Sequence, residues 1–155
     1  MNRILSLLVS TALLFTTFAC ATTPPKQAAL QGEGILSAIR DLTRSYEARD
    51  LDAFMDKVSV TYPDRQGLGK TVDSAFGKYQ SLTIKLQYTR MLILVEDKGN
   101  IKATLTWEGE WRTSTGKIHK DGARTTFVFD PKNYKLVLLE GKNPFVPVPV
   151  INTQK

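Results

Sequence analysis

The spacing of apolar residues changes from helical to strand-like at one point, Gln80, and any fold open to this chain must accommodate that change. Before it, Ile35, Leu36, Ile39, Leu42 and Tyr46 recur at the 3.6-residue period of an amphipathic helix over 33–48. Asp50 is placed to cap a second, short helix carrying Leu51, Phe54, Met55 and Val58 on one side, with Asp52 favoured by the helix dipole. A polar turn from Tyr62 to Gly67 precedes a third helical segment over 68–79, striped by Val72, Ala75, Phe76 and Tyr79. After Gln80, Leu82, Ile84, Leu86 and Tyr88 alternate with polar residues, and the apolar set then shifts phase to Met91, Ile93 and Val95. Such a shift inside a long strand predicts a β-bulge and a bend.

The clearest strand follows the turn at Asp97–Asn100, where Ile101, Ala103, Leu105, Trp107 and Trp111 alternate with charged and hydroxyl side chains. A polar loop is expected from Ser114 to Gly122, then a strand bearing Phe127 and Phe129, a turn at Asp130–Asn133, and a last strand from Tyr134 to Glu140. That last strand is apolar on both faces, Leu136 and Leu138 on one and Val137 and Leu139 on the other, so it needs cover outside the sheet. Proline recurs through 143–155, which predicts an extended Pro/Val tail. Helices first and about four turn-linked strands second imply an α+β domain over 33–142, its N-terminal helices packed on a curved antiparallel sheet.

In this order, and in the run Ala38-Ile39-Arg40 through Tyr46-Glu47-Ala48-Arg49-Asp50-Leu51-Asp52-Ala53-Phe54-Met55, the chain resembles nuclear-transport-factor-2-like domains from Ile35 to Gly141. The resemblance implies a cone in which a strongly bent sheet wraps the helices and leaves an apolar cavity at its wide end. A cystatin-like sheet around one long helix is the alternative, and it leaves the stripes of the second and third helices without a partner.

The N-terminus reads as an export signal over residues 1–19. Arg3 precedes an apolar core from Ile4 to Phe15, about the length of a signal-peptide core and too short to span a bilayer. Ala19 then precedes Cys20, the only cysteine, in an arrangement that resembles a bacterial lipobox, although Thr17 and Phe18 depart from the usual pattern. Cleavage before Cys20 would leave an acylated cysteine, palmitate among its acyl chains, and residues 20–32 as anchor and flexible tether. The expected location is the cell envelope, facing the periplasm or the outside. The alternative takes Ala19-Cys20-Ala21 as an ordinary cleavage site and releases a soluble secreted protein. In either case the mature domain has no cysteine to pair and must stand on its core.

The formal net charge is +6. Basic and acidic residues are interspersed, whereas nucleic-acid binders cluster their cations, so no nucleic-acid partner is expected. Gly67-Leu68-Gly69-Lys70-Thr71 has the look of the end of a phosphate-binding loop, but Asp64 stands where that pattern needs its first glycine. His119, the only histidine, is expected in the polar loop, where it has no cysteine or histidine partner for a metal. No metal or other cofactor is expected.

The resemblance also bears on catalysis, since cyclases and hydratases of that superfamily commonly set an Asp–His pair in the cone. A loop histidine could not supply it from a strand. A carboxylate base acting alone, as in the resembling ketosteroid isomerases, leaves Asp64 with Tyr62 as the best local candidates. Glu108 and Glu110 alternate away from Trp107 and Trp111, onto the outer face. Tyr46, Phe54, Tyr62, Phe76, Tyr79, Trp107 and Trp111 either line a pocket for an apolar ligand or form plain core. The reading these features favour is a tethered, non-catalytic domain that binds a small apolar ligand or an envelope protein. A small cofactor-free isomerase or dehydratase and a homodimeric structural module are the alternatives.

Overall fold

A computed structural model describes residues 25–95 and 99–147. Three helices, α1 (Pro25–Glu47), α2 (Leu51–Asp56) and α3 (Arg65–Lys78), are followed by four strands, β1 (Ser81–Val95), β2 (Ile101–Arg112), β3 (Ile118–Phe129) and β4 (Leu136–Gly141). The signal segment, Cys20 and residues 148–155 of the tail lie outside the described residues.

The helical stripes bury largely as their spacing requires, except that Leu36 is only half-buried and Ala38 packs against the core in its stead. Ile35, Ile39, Leu42 and Tyr46 of α1 are fully buried, and Phe54 of α2 and Val72 of α3 join them. Asp50 caps α2 by accepting a hydrogen bond from the Ala53 amide at 2.9 Å. Asp64 caps α3 in the same way through the Gly67 amide at 3.0 Å, and a Cβ at Gly67 would fall 2.0 Å from that carboxylate. Gly67, the first glycine of 67–71, therefore serves a helix start. In place of a tether over 25–32, α1 extends back to Pro25. Proline suits the first helical position because its missing N–H has no intrahelical partner there, and the Lys-Gln-Ala-Ala-Leu that follows is rich in helix formers.

The strands form one antiparallel meander in the order β1-β2-β3-β4. The bulge lies where the apolar phase changes: the register runs from Gln87 opposite Thr106 to Leu92 opposite Thr104, so four residues of β1 face one of β2. That excess bends β1 and lets the sheet curl around the helices. The sheet differs from expectation at β3, which begins at Ile118, well inside the expected polar loop. Twelve residues of β2 pair continuously with it, from Ile101 opposite Phe129 to Arg112 opposite Ile118. Thr113 to Lys117 alone make the turn, with Gly116 at φ 82°. β4 is shorter than expected because Tyr134 takes a left-handed φ of 53° in the preceding turn. Its start is covered by the segment after α2, where the Ser59 amide donates to Leu136 O and the Leu136 amide to Lys57 O, both at 2.8 Å.

Candidate functional site

Inward-facing positions on the four strands meet the helical stripes in one core cluster. Six of the seven aromatics proposed to line a pocket, Tyr46, Phe54, Phe76, Tyr79, Trp107 and Trp111, are buried in it, whereas Tyr62 packs at its edge. Trp111 meets Trp107 edge-on, centroids 6.3 Å apart, and its indole N–H donates to the Tyr46 hydroxyl at 2.9 Å. Burial pushes the Tyr46 phenol well above the usual tyrosine range, although that hydrogen bond acts the other way. The Trp107 indole N–H donates to Thr125 Oγ1 at 2.8 Å.

The interior also holds an unforeseen ring. Phe145, beyond β4, is 1% exposed, and its centroid lies 5.2 Å from Tyr46, 4.9 Å from Phe54 and 6.3 Å from Phe127. The segment carrying it is fastened where Thr125 donates to Lys142 O at 2.5 Å. The space between Tyr46, Phe54 and Phe127 is thus occupied by the chain's own phenyl group. The only warning in the sequence was one aromatic among prolines and valines after Asn143.

His119 is the main correction. It belongs to β3, opposite Trp111 in register, with its imidazole 5.6 Å from the Trp111 ring. Its Nε2 is buried and makes no hydrogen bond among the described residues. Asp121 lies two positions on and so shares the inward face. Its carboxylate pairs with the Lys142 ammonium at 2.6 Å and accepts from the Gly122 amide at 2.8 Å. Burial opposes its ionisation, but Lys142, the Gly122 amide and the nearby His119 together hold this carboxyl below its usual range. β3 therefore carries a histidine and an aspartate two positions apart on one face. Reading period two backward from Phe129 through Phe127, Thr125, Ala123 and Asp121 to His119 would have found the pair.

The other candidates occupy separate surface sites. Asp64 is committed to capping α3, and Tyr62 beside it has its phenol raised by burial and by the Asp64 charge. They line a shallow hollow of about 270 Å³ with Thr71 and Asn143. Glu108 and Glu110 point outward, as their alternation predicts, into a groove of about 350 Å³ on the outer face of the sheet with Lys85 and Lys120. Glu110 is bridged at 3.3 Å by both Arg112 and Lys120, the geometry of an ordinary surface ion network. A third groove, about 280 Å³ between α1 and β1, is lined by Arg40, Thr43, Arg44 and Tyr88. No cluster of histidine, cysteine or carboxylate side chains suited to a metal occurs among the described residues. No helix there is long and apolar enough to cross a membrane.

The Asp121–Lys142 pair makes a prediction about pH. Because the folded-state pKa is depressed, the pair stabilises the protein above the unfolded-state value of about 3.9 and that stabilisation is lost as pH falls through the lower folded value. Asp121→Asn should therefore lower the thermal midpoint at neutral pH. The gap to the native protein should close progressively as pH falls below about 4. A gap that stays constant over that range would show that the carboxylate contributes nothing through its charge.

No family model matches the chain, and no curated protein matches it. Solved structures do. A nuclear-transport-factor-2-like superfamily protein from Salmonella enterica serovar Typhimurium superposes with a TM-score of 0.63 at 13% identity, covering 83% of this chain and 99% of its own. A candidate scytalone dehydratase from Novosphingobium aromaticivorans gives 0.65 at 8% identity, over 74% of this chain and 84% of that one. The pinacolase BvnE of Penicillium brevicompactum gives 0.57 at 8% identity, over 70% and 84%. Likeness at such identities shows the fold alone: helices followed by a curved antiparallel sheet, the α+β fold of the nuclear-transport-factor-2-like structures.

Proposed function

We propose that the chain is an exported, lipid-anchored protein of a bacterial cell envelope whose domain binds rather than transforms. The observation that carries this reading is the filled cone. Tyr46, Phe54, Phe127 and Phe145 pack ring against ring between the helices and the sheet, where the resemblance led us to expect an apolar cavity. The anchor rests on Cys20 behind an export signal, and several acyl chains there would hold the domain firmly, since one alone binds membranes only marginally.

A second reading has an observation of its own. His119, whose Nε2 has no partner among the described residues, and Asp121 on the same face supply the residue types of an acid–base pair, and solved structures of this fold include a pinacolase and a candidate dehydratase. The two readings part in a strain deleted for the gene. Binding predicts that His119→Gln and Asp121→Asn variants restore the deletion phenotype as the native chain does, while Cys20→Ala, which cannot be acylated, does not. Failure of the His119 and Asp121 variants at normal protein levels would favour the enzyme. Full restoration by the Cys20→Ala form would remove the anchor from the account.

A further inference from the structure

We infer that residues 142–147 form a strap whose Phe145 acts as an internal ligand, closing a chamber that an uncharged aromatic molecule opens by displacing it. This rests on the binding reading above and names the ligand class of the cone. Phe145 is as buried as any core residue, yet it belongs to no helix or strand. Its own amide donates to Asn143 Oδ1 at 2.9 Å and the Val146 amide to Asn143 O at 3.5 Å, so the hydrogen bonding around the ring stays within the strap. Among the described residues, the strap's hydrogen-bond and ion-pair attachments to the domain lie at one end, at Lys142, through Thr125 and Asp121. The strap can therefore swing outward from Asn143 without breaking the sheet or that anchor, and what holds it shut is apolar packing: the phenyl group foremost, with the buried Pro144 and the half-buried Val146 beside it.

The chemistry of the vacated chamber follows from what it holds now. Three rings, those of Tyr46, Phe54 and Phe127, present tilted or edge-on faces to the phenyl group at 4.9–6.3 Å. Such walls select a flat, uncharged one- or two-ring molecule that can repeat those contacts, and the buried setting rejects an ion. Because the strap competes with the ligand for the same space, the native protein binds more weakly than its chamber could. The penalty is the fraction of time the strap is open.

The test uses the full chain in detergent, with 4-fluorophenylalanine at position 145 and indole as the probe. Indole should shift the fluorine resonance, dose-dependently and saturably, from its buried position toward that of a solvent-exposed ring. Phe145→Ala, with no strap to displace, should bind indole about tenfold more tightly. Phe145→Leu, which keeps an apolar plug and is the better candidate to fold natively, should fall between the two. A resonance that does not move at saturating indole, or equal indole affinity in the native and Phe145→Leu proteins, would overturn the strap. Either failure leaves the non-catalytic reading intact, because an interior that Phe145 plugs permanently is as closed to a substrate as one with a displaceable plug; that reading fails instead on the His119 and Asp121 variants, whose outcome does not bear on the strap.

Discussion

Trp111→Ala is expected to cost about 3–5 kcal/mol of folding stability, at the upper end for a single core truncation. The indole is fully buried, lies edge-on to Trp107 at 6.3 Å, and donates to the Tyr46 hydroxyl at 2.9 Å. Truncation opens a cavity against β2, α1 and His119 at once, and it leaves a buried phenol without its donor. Trp111→Phe separates the two contributions: it keeps much of the apolar volume but strands the hydroxyl, for about 1–3 kcal/mol. Urea unfolding checks both, as a lowered midpoint at unchanged slope. A loss below about 1 kcal/mol for the alanine variant would mean that the core closes over the gap, against the tight ring packing described above.

Gly109→Ala should also destabilise, reversing the usual sign. Alanine in place of glycine inside a strand ordinarily gains roughly 0.5–1 kcal/mol through chain entropy. Here the new Cβ would stand 2.1 Å from Cη2 of Trp111 and 2.6 Å from its Cζ3, because the indole folds back over the glycine on its own strand. The ring cannot retreat, being held by Trp107, Tyr46 and His119. Overpacking of this kind costs about 1–3 kcal/mol. Because the clash is with one ring, Gly109→Ala should cost less in a Trp111→Phe background, and a double-mutant cycle reads that coupling directly. Additive losses would place the strain elsewhere.

Much of this architecture was legible in the apolar spacing. The stripes of α1, α2 and α3 bury the residues that periodicity singled out, and the phase change between Tyr88 and Met91 marks the bulge. Both are consequences of burial acting on one face at a time, which leaves a period behind. The first half of β3 left no such trace, since Lys120, Gly122 and Arg124 face solvent while His119 and Asp121 are only half-buried. A strand polar on both sides looks like a loop, which is where the sequence pattern puts the histidine. The long pairing with β2 is what makes it a strand, and pairing partners are invisible in a single segment.

The same limit explains Phe145. An aromatic in an irregular, proline-containing stretch has no periodic neighbours to reveal its burial, and its place is set by contacts with Tyr46, Phe54 and Phe127, all distant in sequence. The fully buried Tyr46 could be predicted as core or as pocket wall, because both roles require the same side chains on the same face. What decides between them is whether something else fills the space they enclose.

The filled cone is therefore the claim on which the functional account depends, and ring-to-ring nuclear Overhauser effects in the native chain measure it most directly. With centroids 5.2 Å from Tyr46 and 4.9 Å from Phe54, the Phe145 ring protons should give strong cross-peaks to both rings and ring-current-shifted resonances. Absence of those cross-peaks, with Phe145 at the chemical shifts of a solvated phenylalanine, would mean an open cone and would contradict the account.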